Sequence, residues 1–103
     1  MTTVFYSTID SLDKANVLAE GLLTNKLASC VNVIPGMLSM YMWEGKLCKE
    51  EELVLIIKSS KEKFLEIEEY FKEHHVYDIP CLIELSVNNT SRGYQSWIIN
   101  QLK

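Results

Sequence analysis

A chain of 103 residues has room for one domain with one core, not two, and its 48% apolar content rules out a disordered tail. Fourteen acidic against ten basic side chains leave a net charge of −4, which argues against a nucleic-acid backbone or an anionic membrane as the main partner. No apolar run approaches the roughly 20 residues that span a bilayer. The segment Met1-Thr2-Thr3-Val4-Phe5-Tyr6 lacks the basic and cleavable apolar regions of a leader and is expected to enter a first strand directly. Cys30, Cys48 and Cys81 are odd in number, widely spaced and form no Cys-x-x-Cys, a usage that suits reduced thiols in a cytoplasm.

Thr2 to Thr8 reads as the first strand. Asp10 or Ser11 can cap a helix over residues 11–25, because either side-chain oxygen can accept from a free amide of the first turn. Leu12, Ala15, Leu18, Ala19, Leu22 and Leu23 recur there at helical spacing. Ala28 to Trp43 reads as a second strand, interrupted by Pro35-Gly36. Lys46 to Ser59 reads as a third, after a turn at Glu44-Gly45 where glycine relieves the backbone. As one straight strand, Ala28 to Trp43 would reach about 53 Å, against a radius of gyration near 13 Å for a compact domain of this length. It must therefore bend at Pro35-Gly36, project from its own domain, or both.

Ser59 and Glu62 have capping-box spacing for a second helix, with Phe64, Ile67 and Phe71 as its buried stripe and Leu65 and Tyr70 at its flank. Asp78-Ile79-Pro80 is expected to end that helix, since the residue before proline is biased to extended geometry. Cys81 to Val87 reads as a fourth strand and Asn88-Asn89 as a turn. Ser91 can cap a short last helix carrying Tyr94, Trp97, Ile98 and Leu102.

The order strand, helix, strand, strand, helix, strand has a simple closed solution: an α+β, ferredoxin-like βαββαβ sandwich over residues 1–103, with a long hairpin between its second and third strands and a short C-terminal helix. Both long helices then lie on one sheet face. Val54-Leu55-Ile56-Ile57 and Leu82-Ile83 are apolar at consecutive positions, so the open face is apolar too. Such a patch, like the projecting hairpin, predicts an oligomer. Tyr41 and Trp43 are then interface anchors.

Two groups of residues stand out as candidate sites. His74-His75 offers two imidazoles, ligands suited to Cu(II), Ni(II) and Zn(II), near the end of the second helix. The alternative is a helix end, whose partial negative charge favours a protonated imidazole. Adjacent helical residues point about 100° apart, so chelation of one ion by both requires a frayed helix. Lys58, Tyr77 and Asp78 could line an inter-subunit cleft for an anion or polar ligand, or form an ordinary strand-end ion pair. Cys30 and Cys81 read as small buried hydrophobes, and Cys48 as more exposed. No Gly-x-Ser-x-Gly, phosphate-cradling glycine loop or His-Glu-x-x-His is present, so the sequence supports no enzyme.

The blocks Leu27-Ala28-Ser29-Cys30-Val31-Asn32-Val33-Ile34-Pro35-Gly36, Ser39-Met40-Tyr41-Met42-Trp43-Glu44-Gly45-Lys46, Leu55-Ile56-Ile57-Lys58-Ser59, His75-Val76-Tyr77-Asp78-Ile79-Pro80 and Tyr94-Gln95-Ser96-Trp97 together resemble the CutA divalent-cation-tolerance family. The resemblance covers essentially the whole chain. It implies a homotrimer whose hairpins extend neighbouring sheets, a role in copper and divalent-metal tolerance, and no enzymatic activity or required cofactor. It also implies that His74 and His75 match the pair assigned to copper in metal-binding members. Ser7 stands where such members can carry a cysteine and is a weak metal-site candidate by that position, but it removes a soft thiolate, so a tight Cu(I) site is not expected there; Val76 stands where proline is usual. The architecture is similar to that of the nitrogen-regulatory PII proteins, which implies small-ligand sensing or protein-partner binding by fold analogy alone.

Overall fold

Residues of β1 (Thr2–Ile9) alternate between two environments, and that alternation sets the whole domain. In the computed structural model, which describes residues 1–103, Phe5, Ser7 and Ile9 are sealed on one side of the sheet, while Val4 and Tyr6 on the other are only half-buried. The remaining elements are α1 (Leu12–Thr24), β2 (Cys30–Trp43), β3 (Lys46–Ser60), α2 (Phe64–His74), β4 (Ile83–Leu85) and α3 (Arg92–Gln101). The strands form one sheet in the order β2-β3-β1-β4, antiparallel throughout. This is the split β-α-β arrangement expected from the element order.

The core lies between the sheet and the two long helices. Phe5 and Ile9 of β1 and Leu53, Leu55 and Ile57 of β3 meet Ala15, Leu18 and Leu22 of α1 and Ile67 and Phe71 of α2. Register makes this possible: Phe5 pairs with Ile57, Ser7 with Leu55 and Ile9 with Leu53, so all six point to the helices. Leu12 and Leu23 of the predicted stripe, and Leu65, are solvent-exposed instead. Ser11 caps α1, its hydroxyl accepting from the Lys14 amide.

The long second strand both bends and projects. Pro35 and Gly36 stand opposite the single residue Leu53, because pairing passes from Ile34↔Val54 to Met37↔Glu52. The extra residue makes a bulge, with Gly36 at φ +80°. Glu44 (φ +50°) and Gly45 (φ +77°) then close a two-residue turn between Trp43 and Lys46, the type I′ geometry that matches strand twist. Fourteen residues of β2 at 3.3 Å each give about 46 Å, close to the molecule's longest dimension of 45 Å. Gly36→Ala should cost about 1–2 kcal/mol, since a Cβ in left-handed backbone meets the following carbonyl. The open space around that position offers no packing to offset the strain. The urea midpoint of the variant measures this.

Three boundaries differ from expectation. Ser59 belongs to β3, where its buried hydroxyl donates to the Leu27 carbonyl at 2.6 Å, so it is not free to form a capping box. One 3-10 turn, Lys61–Lys63, precedes α2. That helix ends at His74, before Asp78-Ile79-Pro80, with His75 already extended at ψ 145°. Finally, β4 pairs only over Ile83–Leu85 rather than 81–87, because the Cys81 carbonyl is taken by the Ser7 hydroxyl at 2.6 Å and not by a strand amide. Ser91 precedes α3 as expected but makes no side-chain cap hydrogen bond.

Candidate functional site: an acidic, aromatic cleft at the hairpin base

Beyond the bulge the hairpin loses β1 as a neighbour, since β1 ends at the Ile9↔Leu53 pair. One of its faces is left open there. Side chains alternate along a strand, so Glu52, Glu50 and Cys48 of β3 share that face. Their cross-strand partners from β2 are Met37, Ser39 and Tyr41, and Trp43 follows in the same row. The segment Tyr77–Cys81 rises opposite. Thr8, Tyr41, Trp43, Cys48, Glu50, Glu52, Tyr77, Asp78, Ile79 and Cys81 thereby enclose a cleft of about 560 Å³.

Three clamps, four hydrogen bonds in all, hold the opposing wall. His75 is buried, and its Nε2 lies 2.9 Å from the Thr8 carbonyl oxygen. The Tyr77 amide donates to His75 Nδ1 at 3.1 Å. A ring that accepts at Nδ1 must carry its proton at Nε2, so this histidine is a neutral imidazole of defined tautomer. Its ring packs against Phe71 and Tyr77, with centroids 5.4 and 4.9 Å away. Burial pushes its pKa below the ordinary value, against the opposing influence of the Thr8 carbonyl, Asp10 and Glu52. The second clamp is the Tyr77 hydroxyl, which donates to Glu52 Oε2 at 2.5 Å. The third is the bond from Ser7 to the Cys81 carbonyl.

Electrostatics in the cleft run one way. Burial, the hydrogen bond to Glu52 and the field of that carboxylate all raise the Tyr77 phenol. Burial and Glu52 raise the Cys81 thiol, which favours the protonated form over a metal-binding thiolate. Burial, then hydrogen bonding to Glu50, raises Tyr41.

The predicted site residues divide accordingly. Tyr77 and Asp78 share the cleft with Tyr41 and Trp43. Lys58 does not join them. It pairs with Cys30 and Val4 at the far end of the sheet, and its ammonium sits 5.5 Å from the Tyr94 ring centroid. Six residues of strand, about 20 Å, separate it from Glu52. His74 and His75 also part company. The His74 ring is exposed and lies tilted against Tyr70 with centroids 4.2 Å apart, and its Nε2 is 3.6 Å from a Glu73 oxygen. Ser7 is fully buried and committed to Cys81. No three His, Cys, Asp or Glu side chains converge on a point that could hold a metal ion. Sequence reasoning missed Glu50, Glu52 and Cys48 as wall residues. Their i, i+2, i+4 spacing on a strand next to a tight turn was the available signal.

A family model described as CutA1 divalent ion tolerance protein matches residues 3–101. The chain is 33% identical over 98 residues to the divalent-cation tolerance protein CutA of Thermus thermophilus, covering 95% of each. It is 35% identical over 100 residues to a chloroplastic CutA 1 protein of Oryza sativa, of whose length it spans 56%. In three dimensions it matches the solved structure of a protein called the periplasmic divalent cation tolerance protein CutA from Archaeoglobus fulgidus. That match has a TM-score of 0.96, at 34% identity and with full coverage of both chains.

Proposed function

The chain belongs to the CutA1 divalent ion tolerance family, and on that basis we propose that it serves copper and divalent-metal tolerance as a non-enzymatic homotrimer that meets Cu(II) only weakly, through His74. The carrying observation is the unequal state of the two histidines. Both ring nitrogens of His75 are occupied by Thr8 and Tyr77, whereas the His74 imidazole faces solvent. A single imidazole with water is an open, weak site, and Cu(II) heads the affinity series for such nitrogen ligands. Chelation by the pair would require His75 to give up a buried hydrogen bond. Free Cys30, Cys48 and Cys81 suit a reducing compartment such as the cytoplasm. No helix is long and apolar enough to cross a membrane.

Support for the trimer comes from what the single chain leaves uncovered. Ile34, Ile83 and Leu85 on the open sheet face are 50%, 51% and 44% exposed. The hairpin adds Leu38, Met40, Met42, Trp43 and Leu47, each more than half exposed. Strands β2 and β4 are both unpaired edges. Exposed apolar area of this kind marks an interaction surface.

Calorimetric titration tests the metal reading. Cu(II) should bind with modest affinity, in preference to Mg(II) and Ca(II), which favour oxygen cages. Binding should weaken in acid, since a protonated imidazole cannot ligate. His74→Ala should remove most of it, with Cys48→Ser as the control for thiol binding. Wild-type affinity in His74→Ala would overturn this reading. A second reading, small-ligand sensing in the manner of PII-like proteins, is favoured by the formed cleft between the hairpin and Tyr77–Cys81.

A further inference from the structure

The cleft has a charge and a wall chemistry that select a class of ligand. Of its ten lining residues, three are carboxylates (Glu50, Glu52 and Asp78), three are aromatic, and none is Lys, Arg or His. The displacement of Lys58 to Tyr94 removes the only cation expected there. An anionic ligand would therefore meet three like charges with no counter-charge from the same subunit. Glu52 is the pivotal group. It is 7% exposed, and Oε2 is held by the Tyr77 hydroxyl. Its other oxygen takes no hydrogen bond from the protein, and no fully buried side-chain oxygen is left unpartnered, so that oxygen keeps some solvent access.

We infer that the cleft binds an organic cation with an apolar body, such as a quaternary ammonium or alkylammonium group. This deepens the ligand-sensing reading and rests on the cleft being a binding site. Aromatic faces attract a desolvated cation through the ring quadrupole. Tyr41, Trp43 and Tyr77 supply such rings beside the carboxylates. A hydrated divalent metal fits poorly: it needs several converging oxygen or nitrogen ligands, and no three His, Cys, Asp or Glu converge. Burial and Glu52 keep the Cys81 thiol protonated, which removes a soft ligand as well. The volume, about 560 Å³, lies within the range of small-molecule pockets, roughly 300–1,000 Å³.

The experiment titrates choline and its uncharged tert-butyl isostere into the full chain in its solution assembly. The readouts are the chemical shifts of the Trp43 indole and of the Tyr77, Asp78 and Cys81 amides. Choline should give saturable shifts at these positions, with affinity about tenfold above the isostere, as expected for a charge-selective aromatic site. Glu50→Gln, at an exposed position, tests the charge without risk to the fold. Glu52→Gln does the same while keeping an acceptor for Tyr77. Each should weaken choline about threefold to tenfold and leave the isostere unchanged, the loss expected for one charge at a partly screened site. Equal affinity for both probes, or wild-type affinity in both variants, overturns the inference. If adenosine triphosphate binds the cleft in place of choline, the cleft remains a ligand site and its cation selectivity falls. If none of the three probes shifts these signals, as when a neighbouring subunit fills the space, both readings fall together.

Discussion

His75→Ala should destabilise the native chain by about 2–5 kcal/mol, from two orphaned buried groups and the cavity left by the ring. The Thr8 carbonyl and the Tyr77 amide lose their partners together, and Phe71 loses a packing neighbour. Urea unfolding at neutral pH measures the loss. The same residue predicts a pH dependence whose sign is fixed by its burial. Its native pKa is depressed, so the unfolded chain takes up a proton near pH 6.5 that the native chain refuses. The stabilisation is therefore complete above about pH 6.5 and declines as pH falls from there toward the native pKa. Protonating Nδ1 would also turn the acceptor of the Tyr77 amide into a second donor. Comparing wild type and His75→Ala between neutral and mildly acidic pH isolates the effect, because the variant should lose that part of the slope. An identical slope in both would move the pH sensitivity elsewhere.

Assembly gives the second large effect. Light scattering on dilute protein should report about three times the 11.9 kDa chain mass. Trp43→Ala should loosen that assembly without unfolding the subunit. Trp43 lies outside the core cluster and next to the turn, 54% exposed in the single chain. Removing a large buried aromatic typically costs about 3–5 kcal/mol, and a cyclic trimer would repeat the loss at each of its contacts. The melting temperature of the variant should consequently depend more steeply on protein concentration than that of wild type. A monomer at micromolar concentration, or melting curves indistinguishable from wild type, would place Trp43 outside the interface.

Apolar periodicity made the sandwich legible before any coordinates. The buried stripes of α1 and α2 follow from spacing, Leu12 and Leu23 excepted, and Glu44-Gly45 announces the turn. The misread points share one cause, a tertiary partner that sequence does not display. Residues 75–80 read as continuing toward the proline, yet His75 leaves the helix because Thr8 and Tyr77 offer its ring two buried hydrogen bonds. Cys81 read as strand, but Ser7 captures its carbonyl. Of the residues expected to share a cleft, Tyr77 and Asp78 do and Lys58 does not. Lys58 lies on the other side of Glu52 from the hairpin, paired with Cys30 and Val4 about 20 Å away, so it cannot reach the same cleft. The carboxylates Glu50 and Glu52 looked like an ordinary charged run until the register put both on one face.

Where β1 stops has a dynamic consequence. From Met37↔Glu52 to the turn, the ladder has two strands, and an isolated two-stranded ribbon is marginal in water. Amide exchange should accordingly split at the bulge: slow from Val31 to Ile34, where β1 and the core back the sheet, and fast from Leu38 to Glu50 in any subunit standing alone. The distal half carries Tyr41, Trp43 and Glu50. The cleft would then be ordered only in associated subunits, so that dilution removes the site as well as the assembly.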